Sequence, residues 1–152
     1  DKAGQIQAAA AIDRFAAALH RLPCAVVVAL NGNTIGAGGI MALAADWIVA
    51  AQGNYKIGLP EAKAGLPFPP VPQAILDHWL DPVWRRRLSL SSHLLTPVEA
   101  LSAGLADELV EPSQLLDQAV ACAQELAAQP AFKACKRQLR AKANAEIDAI
   151  LG

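Results

Sequence analysis

The chain has 152 residues and little aromatic weight: aromatics make up 5%, with three Trp, three Phe and one Tyr. It also lacks any excess of basic charge. Thirteen Lys and Arg stand against fourteen Asp and Glu, a net charge of -1. Binding a phosphate backbone takes a surplus of cations, so nucleic acid is not an expected partner. Cysteine is scarce as well. Cys24, Cys122 and Cys135 are odd in number and show no CxxC spacing. Reduced thiols and a cytoplasmic setting are the expectation. Every apolar run is broken by Asn, Gly, Asp or Gln well short of a membrane span. The opening residues Asp1-Lys2-Ala3-Gly4-Gln5 lack the basic-then-apolar order of a secretory signal. None of His20, His78 and His93 has a partner at metal-ligand spacing, so no metal site is expected.

Alanine is what the chain has most of, at 33 residues, within an apolar content of 54% and a charged content of 18%. That balance favours helices with small contact residues, and the length suits one domain with a sizeable core. Ile6, Ala9, Ile12, Phe15, Ala16 and Leu19 recur at helical spacing over residues 5–20. Pro23 ends that helix. Ala25 to Leu30 is a β-branched apolar run bounded by Pro23 and Asn31-Gly32, and it reads as a strand buried on both faces. A Gly-rich loop over 31–39 leads into a short helix at 40–45. Two further strands are expected at 47–51 and 55–58. Residues 59–70 hold four of the ten prolines and read as a stiff loop. From there helices are expected at 72–80, 82–90 and 97–103, a short strand at 105–110, and helices at 113–128 and 131–149. Thr96-Pro97-Val98-Glu99 is a capping box with Pro at the first helical position, and Gly104 closes that helix.

The Gly-rich loop carries the first chemical signal. A loop between strand and helix presents backbone N–H groups where the helix dipole favours negative charge. Either a phosphate or a reaction oxyanion fits that physics. A Walker motif needs a Lys that is absent near Gly39. A dinucleotide fingerprint needs G-x-G-x-x-G, which Gly36-Ala37-Gly38-Gly39 does not match. A tight turn with close helix–strand packing is the plain structural alternative. Glu61 is the second signal. Leu59, Ala62, Ala64 and Leu66 surround it in sequence, and a carboxylate in apolar surroundings has a raised pKa, suited to a general acid or base. Glu99 belongs to the capping box, and Asp46 to a turn or cap. Arg85-Arg86-Arg87 reads as a solvated helix face.

Three stretches, taken together, resemble the crotonase (enoyl-CoA hydratase/isomerase) superfamily. They are Leu22 to Gly32 followed by Gly36-Ala37-Gly38-Gly39-Ile40-Met41-Ala42-Leu43-Ala44-Ala45-Asp46, then Ile57 to Leu66, then Leu95 to Val110 with the closing helices. The resemblance implies an α/β fold, a crotonase-like (ββα)-type core with a helical C-terminal part. It implies residues 1–110 as the C-terminal part of that core and 111–152 as a helical oligomerisation region, forming a homotrimer or hexamer. Family chains carry a further N-terminal half, so the 152 residues are expected to be N-terminally truncated. That half supplies a second oxyanion N–H.

The resemblance also implies the chemistry. An acyl-CoA thioester is the expected substrate, with coenzyme A part of the substrate and no separate cofactor. Ala37 matches the backbone N–H donor of the oxyanion hole, with Gly36, Gly38 and Gly39 shaping the loop. Glu61 matches one of the two hydratase carboxylates, and Ile40 stands where the other would be. Ile40 cannot transfer a proton, so one-base isomerisation fits better than hydration. Hydration by water held elsewhere and a silent acyl-CoA-binding role are the alternatives. Ile40, Leu66 and Phe68 are expected in the acyl pocket. The segment Leu66-Pro67-Phe68-Pro69-Pro70-Val71 is Pro-rich where hydratases are usually Gly-rich. Arg85-Arg86-Arg87, Lys133 or Lys136 are the cations available for the CoA phosphates.

Overall fold

The computed structural model describes residues 2–152. Helix α1 (Lys2–Arg21) leads into β1 (Val27–Leu30) and β2 (Thr34–Ile35), then α2 (Ala37–Leu43). The same order follows with β3 (Trp47–Ala51), β4 (Ile57–Gly58) and the one-turn α3 (Glu61–Ala64). Helices α4 (Pro70–Trp79) and α5 (Pro82–Ser91), strand β5 (Leu94–Leu95), helix α6 (Pro97–Ala103) and strand β6 (Glu108–Val110) come next. After a 3-10 turn, α7 (Leu115–Ala128) and α8 (Phe132–Leu151) close the chain.

The strands form two three-stranded sheets, β1-β3-β6, which is parallel, and β2-β4-β5, in which β5 runs antiparallel to β4. Each of β1 and β3 sends its chain straight into the second sheet and then into a helix. That recurring strand–strand–helix unit is the (ββα) architecture expected from the sequence.

Alternation along β3 decides what covers the parallel sheet. Val49 and Ala51 point to α7, where Leu115 and Ala119 meet them. Ile48 and Ala50 point the other way, into the main core with Leu43, Ile57, Leu76 and Leu105. Period-two burial on both faces is what a parallel sheet requires. The expectation for β1 needs correcting. It is an edge strand of this sheet, as is β6, and Ala29 is exposed while Leu30 is buried. With a strand on one side only, its apolar run is half covered.

The parallel strands are started by two matching aspartates. Asp46 N–H donates to Val26 O at 2.8 Å, and Asp46 Oδ2 accepts from Val26 N–H at 2.8 Å. Asp107 repeats the device one strand over, with Ile48 O and Ile48 N–H, both at 2.8 Å. Each Asp therefore sets the register of its strand against the preceding one.

Asp46 does more than the turn or cap role its position suggests. Lys136 Nζ reaches Asp46 Oδ2 at 2.6 Å, and Arg140 donates to Oδ1 at 2.7 Å. Arg140 also donates to the carbonyls of His20, Ala44 and Ala45. Lys136 donates to Cys24 O at 2.8 Å. All three side chains are at most 10% exposed. So α8 is fastened into the core by charge, with Ala143 and Ile147 buried one and two turns on. Residues 111–152 pack into the same body as the sheet. Lys136 is consumed here and is not free for the CoA phosphates.

Three smaller expectations hold. Thr96 and Glu99 form the reciprocal capping box, and Gly104 ends α6 in the left-handed region. Arg85 pairs with Asp77 and Arg87 lies over the Trp84 ring, both on the surface of α5. No helix among the described residues is long and apolar enough to cross a membrane.

His20 is fully buried where α1, α4 and α8 meet. Trp79 Nε1–H donates to His20 Nε2 at 3.1 Å, and His20 Nδ1 lies 2.9 Å from Asn144 Oδ1. Indole N–H can only donate, so Nε2 must accept and Nδ1 must carry the proton. The ring is therefore neutral. Burial first, and the Arg140 charge second, push its pKa down to about 4 from 6.5.

Two stability predictions follow from these buried groups. Between pH 6.5 and about 4 the unfolded chain takes up a proton that folded His20 refuses. The neutral ring's contribution is whole above pH 6.5 and is lost as pH falls toward 4, on the order of 3 kcal/mol in all. Urea midpoints should drop across that window, and His20→Gln should flatten the drop. Asp46→Ala leaves two buried cations without their carboxylate and should cost about 3–5 kcal/mol in urea unfolding.

Candidate active site

Gly36 lies at the join between β2 and α2, with φ 61° and ψ -121°. Only glycine adopts that conformation without strain. Gly36 N–H is anchored to Gly58 O at 2.9 Å. A methyl group on Gly36 would sit 3.1 Å from Glu61 Oε1, so the missing side chain is what lets the carboxylate lie against the loop. Gly39 is tight for another reason: a Cβ there would come within 3.0 Å of Leu59 Cδ2. Helix α2 thus packs directly on the segment that leads to Glu61. Gly38 is under no such constraint, since a Cβ would meet only Thr34 Cγ2, at 3.7 Å.

Glu61 opens α3, which corrects the expectation of a loop. A four-residue helix is too short to show periodicity. Its limits are set by Pro60 at the N-cap and by Gly65 in the left-handed region. Ser92 holds the turn in place: its Oγ accepts from Lys63 N–H at 3.1 Å. The Ser91-Ser92-His93 connector therefore supports the helix that carries Glu61.

Glu61 Oε2 is buried and has no hydrogen-bond partner. Burial raises the carboxyl above its ordinary value, while its own backbone N–H pulls weakly the other way. An unpartnered buried oxygen is costly to keep and is often a sign of chemistry.

Glu61 faces a cavity of about 360 Å³. Gly36, Ala37, Ile40, Leu66 and Phe68 line it as well, so the structure brings together the sequence-derived candidates apart from Gly38 and Gly39. Among the described residues, Glu61 is the one ionisable side chain in that lining and Gln5 the other polar one. The rest of the wall is apolar and stiff, with Pro60, Pro67, Pro69 and Pro72 on one side and Ala8, Ala9 and Ile12 of α1 on the other. The two walls are joined by a bond invisible in the sequence pattern: Asp13 Oδ1 accepts from Val71 N–H at 3.0 Å, capping α4 from α1. Pro69 has no side-chain group to make that cap.

Ala37 is the first residue of α2. Its N–H falls in the turn where helix N–H groups lack intrahelical partners. Ala37 and Glu61 line the same cavity, Glu61 lying against Gly36 next to Ala37 in the chain, which brings a backbone donor and a buried base to one space.

The chain was compared with known proteins. Residues 3–151 match the sequence profile of the enoyl-CoA hydratase/isomerase family. The chain belongs to that family. A Mycobacterium avium protein named "Probable enoyl-CoA hydratase echA17" is 35% identical over 140 residues, covering 92% of this chain and 50% of the relative. A carnitinyl-CoA dehydratase of Salmonella paratyphi A is 34% identical, covering 81% of this chain and 48% of the relative. A solved enoyl-CoA isomerase structure from Mycobacterium tuberculosis superposes with a TM-score of 0.83 at 27% identity, covering 92% of this chain and 64% of its own. The chain spans about half the length of the curated relatives it matches.

Gly36→Ala should displace the Glu61 carboxylate and strain the loop, costing about 1–3 kcal/mol of stability. Gly38→Ala should cost well under that. Parallel urea titrations of the two variants read the difference.

Proposed function

We propose that this chain carries the proton-transfer side of an enoyl-CoA isomerase. Glu61 is the single base and the Ala37 N–H an oxyanion donor. The observation that carries the reading is that, among the described residues, Glu61 is the sole ionisable side chain lining the cavity; Ile40, in the same lining, stands where the family resemblance would put a second carboxylate.

In a 3-enoyl-CoA, Glu61 takes the proton from C2. The electron pair moves into the thioester, and its oxygen becomes the enolate oxygen that the Ala37 N–H receives. The double bond migrates as the same carboxyl returns the proton to C4. One carboxyl serves both steps because it is the base in the first and the acid in the second. Desolvation helps here: a raised pKa brings the carboxyl nearer the carbon acid it must deprotonate. Dry, apolar walls strengthen the interaction of the enolate with backbone dipoles.

Hydration is the second reading, favoured by the printed names of the relatives, several of which are hydratases. It requires a group other than Ile40 to hold the water. A silent acyl-CoA-binding role is the third. The reading further takes CoA as part of the substrate with no separate cofactor, a cytoplasmic setting, and a homotrimer or hexamer assembled through residues 111–152.

Glu61→Gln should lower kcat on 3-enoyl-CoA by about 10²–10⁴-fold with little change in KM. Unchanged turnover would remove Glu61 from the mechanism. Ester binding without turnover in the unmodified protein would favour the silent role. In the active protein the acid limb of kcat/KM should lie above the ordinary carboxylate range, because the base must be ionised and burial holds its pKa up. Ile40→Glu should bring in hydration of 2-enoyl-CoA if the missing carboxylate is what limits it.

A further inference from the structure

A second cavity lies at the other end of α1. It has a volume of about 370 Å³ and sits between the end of α1 and the first half of α8. Five cationic side chains line it: Arg21, Lys133, Lys136, Arg137 and Arg140; no Asp or Glu does. Asp46 neutralises part of Lys136 and Arg140 from behind, and Asp148 pairs with Arg21. Two carboxylates against five cations leave a clear positive surplus. Among the described residues no carboxylate pairs with Lys133 or Arg137, and both side chains are exposed.

Further observations agree on the sign of the site. His20 also lines the cavity; burial first, and then the charges of Arg140 and Lys136, lower its pKa. Asn144 spends its Oδ1 on His20, leaving its amide N–H groups for another acceptor. The first turn of α8 meets the cavity with no side-chain cap and no acidic residue. Leu22, Pro23 and Pro130 give one wall an apolar surface.

We infer that this cavity binds a phosphate-bearing anion, held by Lys133 and Arg137 over the Asp46-fixed pair Lys136 and Arg140. The ammonium of Lys133 and the guanidinium of Arg137 together suit phosphate oxygens, while Lys136 and Arg140, whose donors are spent on Asp46 and backbone carbonyls, add charge from beneath. At roughly 30 Å³ per water, the volume equals about a dozen waters, room for a phosphate and a small organic body. The site is separate from the Glu61 cavity. Gln5 of α1 lines that cavity and His20 lines this one, about 22 Å apart along the helix. We take the anion to be a phosphorylated ligand other than the reacting acyl-CoA, a distinction that competition with acetyl-CoA tests.

Calorimetric titration with inorganic pyrophosphate at fixed ionic strength tests this. Saturable binding is expected, weakened at least tenfold in Lys133→Glu/Arg137→Glu and in Lys133→Ala/Arg137→Ala, and unchanged in Glu61→Gln. Both altered residues are exposed, and thermal melts without ligand verify that the variants fold. Absence of saturation, or equal binding by the double variants, would overturn the site. Saturating acetyl-CoA should leave the pyrophosphate affinity unchanged; displacement would overturn the separation from the acyl-CoA.

Discussion

The buried Asp46 carboxylate is the constraint on which the rest of the structure hangs. It starts the parallel sheet by holding Val26, and it neutralises two cations that reach in from α8. A charge so placed is stable only while its partners stay, since the loss of one partner leaves the other charge buried alone. Helix α8, the ends of α1 and α2, and the start of β1 are therefore locked into one arrangement. That lock acts at the amino ends of the strands. The Glu61 cavity is built beyond their carboxyl ends, where the chain leaves β1 and β3 for the small sheet. Rigidity at one end of the sheet leaves the other end free to be shaped by loops.

Those loops are stiff by composition. Glycine removes a side chain where Glu61 must approach, and proline fixes the wall opposite. The result is a carboxylate with one oxygen left unpartnered in an apolar space. Neither a surface glutamate nor a paired one would have its pKa raised in this way. On the proposed reading, the absence of a carboxylate at Ile40 favours moving a proton over adding water.

Much of this was legible in the residues. The strand at 47–51, helical spacing in α1, and the Thr96–Glu99 box are local patterns, and the structure reproduces them. The grouping of Glu61, Ala37, Ile40, Leu66 and Phe68 was legible through family resemblance. What stayed hidden depends on distant partners. Lys136 and Arg140 lie 90 and 94 residues from Asp46, and no spacing rule links them. The Asp13 cap on Val71 spans 58 residues. Helix α3 was hidden by its brevity, and the exposure of Ala29 by strand order, which composition does not reveal.

In the proposed isomerisation one carboxyl both removes and returns the proton. The direct measurement is the fate of deuterium placed at C2 of a 3-enoyl-CoA, converted in ordinary water by the protein that carries this chain. If Glu61 works alone in its apolar cavity, part of the label should reappear at C4 of the 2-enoyl product. Formation of a 3-hydroxyacyl-CoA with no label transferred to C4 would contradict the account.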